Sequence, residues 1–199
     1  GTLILHILSF KSLANINLQG EKMMKTNPAR RKMAFVALSF ITLGIVVYAA
    51  ITDVKAVGEI QHSELFNGPA TVTVRTISFA AGELGAWHYH PGPLFNVVER
   101  GTVTVEDGCG GEQSFTVGQA FEEGGRVHRP KNLGTEPTFA YQTFVVPQGN
   151  PTTVNIPNNE RRCGPPRSVS ECQIGWINFT HPRTFSNAGD CIQFLNTGK

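Results

Sequence analysis

Charge is scarce in this sequence, and positive charge is scarcest where a nucleic-acid partner would need it. Only 16% of the 199 residues are Asp, Glu, Lys or Arg. Residues 1–56 hold 7 of the 17 Lys and Arg but 2 of the 15 acids, so residues 57–199 carry 10 basic and 13 acidic side chains, a net of −3. That balance argues against a phosphate-binding face on the body of the protein. Cysteine is sparse too: the four residues Cys109, Cys163, Cys172 and Cys191 are widely spaced and form no Cys-x-x-Cys pair. A structural zinc site built on sulfur is therefore disfavoured. No long amphipathic helical pattern separates the strand-like segments, which excludes a parallel α/β sheet. Internal repeats and low-complexity tracts are also missing.

What is present suits an all-β domain. The sequence contains 21 Gly, 12 Pro and 13 Phe. From Val57 onward the apolar period is two. Residues 71–80 (TVTVRTISFA) alternate and are rich in β-branched side chains, 94–99 (LFNVVE) form a short apolar run, and 102–106 (TVTVE) resume after Gly101. Residues 113–117 and 138–146 read as further strands, and Asp107 to Gly111 as a turn. Short strands at this spacing predict a sandwich or barrel over residues 57–150. In the last strand, the set Phe139, Tyr141, Thr143, Val145 and the set Ala140, Gln142, Phe144, Val146 compete for the inner face. After the breakers of 147–151, residues 151–199 read as an extension. It is polar and Pro-rich at first, then carries two cysteines, Trp176 and several phenylalanines.

The N-terminal segment reads as an address. Arg30-Arg31-Lys32 precede a stretch, Met33 to Thr52, that contains no charged residue. A basic flank before an apolar run marks a secretory signal, with Val47-Tyr48-Ala49 and Val54-Lys55-Ala56 as cleavage patterns. The run is also long enough, at about 20 residues, to span a bilayer as a retained anchor. Residues 23–56 are thus expected to be a signal peptide or membrane anchor. Met23 offers a natural start, which would make residues 1–22 an untranslated or disordered leader. Either address places the body outside the cytoplasm, because the positive flank stays inside. An even number of cysteines in an exported chain favours disulfides, and four cysteines allow three pairings.

Six histidines occur. His62 and His181 are solitary. His88 and His90 form His-x-His in a strand-like context, and residues i and i+2 of a strand share a face. Two imidazoles on one face make a two-point claw for a metal, and neutral imidazole suits zinc, copper, iron and nickel.

The surroundings resemble the cupin superfamily. Gly82, five residues, His88, one, His90, three, Leu94, six, Gly101 follows the first cupin motif. Gly125, two, His128, three, Asn132 follows the second. The run WHYHPGPLFNVVERGTVTVEDG is similar to a bacterial branch written His-x-His-Pro-Gly-Pro, and the likeness covers residues 70–147. The resemblance implies a single RmlC-like jelly-roll β-barrel. It also implies one divalent metal ion (Fe, Mn, Zn, Ni or Cu) on His88, His90 and His128, with a small organic molecule as ligand or substrate. Gly82, Gly101, Gly125 and Asn132 are its structural positions. Cupins of this kind often dimerise through their sheets.

Two departures stand out. Leu94 occupies the position of the family's metal-binding Glu, and Glu123 stands where the second motif has Pro. The loss at Leu94 leaves a neutral three-histidine set with open positions, as catalytic metal sites keep. Glu99 is five residues from Leu94 and so faces the other side of a regular strand. Tyr89, Leu94, Tyr141 and Gln142 are the candidate pocket residues. In the His-Pro-Gly-Pro branch the barrel is followed by a Pro-rich strand ending at a Cys, as Val154–Pro157 leads to Cys163. That implies Cys109–Cys163, leaving Cys172–Cys191. Three functions stay open: a metal-dependent dioxygenase or isomerase, a non-catalytic ligand- or metal-sensing module, and a barrel whose histidines no longer hold a metal.

Overall fold

The computed structural model describes residues 50–199. The leader 1–22, the basic flank 30–32 and the apolar run up to residue 49 lie outside the described residues.

Among the described residues, ten strands make two antiparallel sheets. One has the order β1 (Ile51–Ser63), β2 (Gly68–Phe79), β9 (Thr138–Pro147), β4 (Leu94–Arg100), β7 (Ala120–Glu123). The other has the order β10 (Val154–Asn155), β3 (His88–Tyr89), β8 (His128–Lys131), β5 (Thr102–Asp107), β6 (Glu112–Thr116). Only β1–β2 and β5–β6 are joined within a sheet; every other connection crosses to the opposite one. This is the winding of a jelly roll. β1 begins at Ile51, inside the 23–56 segment read as an address. The segment pairs with β2 from Ile51↔Ser78 onward, with a register shift between Val54 and Ala56. Every residue of β1 except Ser63 is exposed.

The inner face of β9 is settled by packing. Thr138, Ala140, Gln142, Phe144 and Val146 are buried, while Tyr141 is 46% exposed on the outer face. β2 and β9 pair continuously from Ala70↔Pro147 to Phe79↔Thr138, so their inward side chains form one layer. Leu94, Phe144 and Val146 pack into one buried cluster, and Trp87, Val127 and Ile156 into another. Each large apolar side chain so buried contributes about 1.5–3 kcal/mol.

Gly101 links β4 to β5 at φ +75°, and a Cβ there would meet Thr138 Cγ2 at 2.9 Å. Two constraints therefore act at that turn. Gly82 also has positive φ (+73°), whereas Gly125 is not among the positive-φ glycines. The Asn132 amide is shared among the carbonyls of Phe79, Ala80 and Glu136 at 2.8–3.1 Å, pinning the end of β2 to the end of β8.

Residues 157–199 contain two short helices that the strand-dominated sequence pattern did not suggest. α1 (Val169–Gly175) is capped by Ser168 Oγ, which accepts from Glu171 N, and α2 (Ala188–Thr197) by Asn187 Oδ1, which accepts from Asp190 N. Such caps satisfy otherwise orphaned first-turn donors. Disulfides join Cys109 to Cys163 and Cys172 to Cys191. The buried Arg126 binds the tail to the barrel: its Nε lies 2.8 Å from Asp107 Oδ2, and its Nη1 donates to both oxygens of Glu171 at 2.8–2.9 Å.

Candidate metal centre

β3 and β8 are adjacent, and His88 pairs directly with His128. Their rings lie 4.5 Å apart between centroids; His90, two residues on and toward the same side, is 5.0 Å from His88 and 5.1 Å from His128. One nitrogen from each ring lies within 4.8 Å of the other two.

The opposite ring nitrogens explain the orientation. Nδ1 of His88, His90 and His128 sits 2.8, 2.7 and 2.7 Å from the carbonyl oxygens of Ala86, Thr152 and Arg126. A carbonyl can only accept, so each Nδ1 carries the proton and each Nε2 presents a lone pair. Nε2 of His90 and of His128 is buried with no hydrogen-bond partner. A buried acceptor without a donor costs free energy, and a cation would relieve it. Backbone carbonyls on the distal nitrogen are the usual outer support of histidine metal ligands. The three histidines therefore fit a metal ion.

Burial also keeps the rings neutral. Desolvation, reinforced by His128, lowers His88 to about 4; desolvation, reinforced by His88 and His128, lowers His90 to about 2; desolvation lowers His128 to about 4 against the Arg126 carbonyl. Neutral imidazole is the metal-binding form.

The remaining sequence candidates divide. Gln142 points inward and lines a cavity of about 530 Å³ that also touches His88, His90, Arg75, Asn96, Phe121 and Glu123. Leu94 is fully buried but packs on Phe144 and Val146. Tyr89 packs beside the Trp87 cluster, 5.0 Å from the His181 ring. Tyr141 is on the outer face of its strand and Glu99 is exposed on β4.

The sequence reading passed over Glu123. It entered only as the residue standing at the motif's Pro, yet its carboxyl group is buried, with Oε1 3.1 Å from His128 Nε2 and Oε2 accepting from Asn96 Nδ2 at 2.9 Å. Burial disfavours charge on both partners of this contact. Burial raises the Glu123 carboxyl, opposed by His88, the Asn96 hydrogen bond and Arg75. Asn96 and Arg75 were missed as well. Asn96 was within reach of sequence reasoning, because it lies two residues from Leu94 and shares its face.

No protein-family profile matches the chain, and no curated protein sequence is significantly similar to it. Solved structures are similar over about half of it. A protein with a double-stranded β-helix domain from Klebsiella pneumoniae is 24% identical and covers 53% of this chain and 83% of its own, with a TM-score of 0.39. A cupin domain from Bordetella pertussis is 20% identical and covers 51% and 98%, with a TM-score of 0.39. A DMSP lyase from Ruegeria pomeroyi is 15% identical and covers 45% of each chain, with a TM-score of 0.40.

Proposed function

We propose that this cupin-like barrel holds one divalent metal ion on His88, His90 and His128 and admits a small organic molecule to the adjoining cavity. The carrying observation is the set of three imidazoles whose Nδ1 atoms are committed to backbone carbonyls while their Nε2 atoms converge. Such a set needs little reorganisation to bind an ion.

A bound metal of this kind supplies Lewis-acid or redox chemistry to a molecule beside it. The chain's own residues would bind and orient that molecule. Arg75 is cationic, rests over the Phe144 ring at 4.4 Å, and faces the cavity. Ile77, Phe79, Val103, Phe121 and Ala140 give the same cavity an apolar lining. A small molecule with one anionic or polar end and a compact apolar body fits that distribution. Fe, Mn, Zn, Ni and Cu all accept imidazole. A metal-dependent dioxygenase-like or isomerase-like activity is the preferred reading, because His88 and His90 line a cavity of substrate size. The second reading is a sensing or binding module without turnover. It is favoured by the cavity's two carboxylates being engaged by protein groups, Glu83 by the Ala80 amide and Glu123 by Asn96, instead of standing free as an acid–base pair.

The two disulfides suit an oxidising compartment, so the protein is proposed to work outside the cytoplasm. Among the described residues no helix is long and apolar enough to cross a membrane.

The test is metal content of the full chain made in an oxidising compartment, compared with His88→Ala and His128→Ala. One ion per chain, lost in both variants, is expected. A wild-type protein that stays empty after exposure to iron, manganese, zinc, nickel and copper would refute the metal reading. Oxygen uptake or substrate turnover by the loaded protein then separates enzyme from sensor.

A further inference from the structure

Leu94 removes the carboxylate that the first cupin motif supplies, yet the space beside the imidazoles still contains one. Leu94 and Glu123 are paired directly across β4 and β7. Opposed residues of an antiparallel pair project from the same face of the sheet. A side chain at Glu123 therefore enters the barrel next to the one at Leu94, from the neighbouring strand. Its Oε1 lies 3.1 Å from His128 Nε2, and its side chain is only 8% exposed. Two ligands at right angles, each about 2.1 Å from one ion, stand about 3.0 Å apart.

The other carboxylate oxygen ends a hydrogen-bond relay with a fixed direction. Arg75 Nε donates to Gln142 Oε1 at 2.7 Å, Gln142 Nε2 to Asn96 Oδ1 at 2.8 Å, and Asn96 Nδ2 to Glu123 Oε2 at 2.9 Å. The relay crosses four neighbouring strands, β2, β9, β4 and β7, and uses the register pairs Arg75↔Gln142 and Asn96↔Gln142. An arginine has no acceptor. Gln142 must therefore show it an oxygen and turn its NH₂ to Asn96, which must in turn offer its own NH₂ to Glu123. The polarity of every link follows from the guanidinium, and Oε2 must accept. Oε1 is left 3.1 Å from a histidine nitrogen that presents a lone pair, so a proton or a cation must lie between the two.

We infer that Glu123 is the carboxylate ligand of the metal site, delivered from β7 in place of the side chain lost at Leu94, with Asn96, Gln142 and Arg75 as the positioning residues that aim it. This inference rests on the three histidines being a metal site. The ligand set becomes three imidazoles and one carboxylate, with one unit less positive charge at the ion than the histidines alone would leave.

Cobalt(II), bound to the full chain, is the probe, read by chelator competition and by its visible absorption. Glu123→Gln keeps volume and fold. The relay would turn the new amide's oxygen toward Asn96 and its NH₂ toward His128 Nε2, blocking the site. Cobalt affinity is expected to fall at least about tenfold, the scale seen for loss of metal-supporting groups, with a changed spectrum. The double variant Leu94→Glu with Glu123→Leu, which moves the carboxylate to the opposite strand, is expected to recover most of that loss. Asn96→Leu is expected to shift the spectrum toward that of Glu123→Gln, and an unshifted spectrum would overturn the role given to the relay. If Glu123→Gln binds cobalt with wild-type affinity and spectrum while His88→Ala and His128→Ala do not bind, the inference fails and the histidine site stands. If the wild type itself binds no cobalt, the histidine site fails first.

Discussion

Compare the barrel with the segment 157–199. In the barrel the buried side chains come from strands far apart in sequence, such as Leu94, Phe144 and Val146, and the sheet ladders bring them together. In the tail a small cluster forms on Cys172, Phe179, Phe185 and Cys191, with Trp176, Ile192, Phe194 and Leu195 around it. A segment of that size buries too little apolar surface to order itself, so covalent links take over part of the task. The barrel also accepts polar groups in its interior, His90, Asn96, Asn132 and Gln142 among them. The buried polar residues inside the barrel are where its candidate chemistry lies, and the apolar cluster of the tail has no counterpart to them.

The largest expected effect comes from cutting the link between the two regions. Cys109 and Cys163 close a loop of 54 residues. Replacing both with Ala is expected to lower stability by about 4 kcal/mol on the loop-entropy scale. Urea titration of the oxidised proteins measures it, and a loss under about 1 kcal/mol would mean that Arg126 and the backbone contacts alone hold the tail in place.

Next is the disulfide within the tail. Cys172 and Cys191 are 19 residues apart, and their double replacement by Ala is expected to cost about 3 kcal/mol. The loss should be local. Hydrogen exchange is expected to quicken in α1 and α2 while β2 and β9 keep their protection; uniform loss of protection would show one cooperative unit instead of two.

Acid should separate the regions by pH. The three site imidazoles titrate near 6.5 when unfolded but are lowered to about 4, 2 and 4 in the folded protein. The unfolded chain thus binds more protons below pH 6.5. The barrel's stability is fully present above 6.5 and falls as pH drops toward 4, by up to about 1.4 kcal/mol per pH unit for each histidine. Asp190 in the tail is held at about 2 by the Arg183 hydrogen bond and the Ser186 amide, so its contribution is present above its ordinary value of 3.8 and lost only below it. Denaturation of the metal-free protein between pH 8 and 4.5 should show the slope, and His88→Ala with His128→Ala should flatten it. An equal slope in the variant would assign the acid sensitivity to other groups.

The smallest effect is at a helix cap. Asn187→Ala removes the acceptor for Asp190 N at the start of α2 and is expected to cost about 1 kcal/mol. Thermal melts resolve a change of that size. No change would show that the Arg183–Asp190 pair alone holds the helix start.

Much of this was readable from the chain, in particular ways. Alternation over 71–80, the short apolar run of 94–99 and the β-branched and aromatic residues of 138–146 mark strands, because such side chains suit a pleated, half-buried surface. The alternation of faces along a strand puts His88 and His90 on one side and sends Glu99 away from Leu94. It does not say which set in β9 faces inward, since Phe139 and Phe144 are equally apolar; the cross-strand packing of Phe144 on Leu94 decided that. Nor could spacing choose among three cysteine pairings. The helices of the tail were hidden because α1 and α2 are short and rely on caps and a disulfide instead of a long apolar stripe. Glu123 was hidden for a different reason. Its importance depends on being opposite Leu94, and register between strands 29 residues apart is not a local property of either.

The sequence by itself therefore determined the strand periodicity, the turn positions, the mild acidity of the body and the three histidines in cupin spacing, because each depends on near neighbours and on residue chemistry. Only the tertiary structure decided which faces are inside and that a carboxylate from β7 stands beside the imidazoles; the cysteine pairing, implied by the family resemblance and not by spacing, is the one the structure has. The inner faces and the place of that carboxylate depend on register and winding, which bring together groups that no local rule connects.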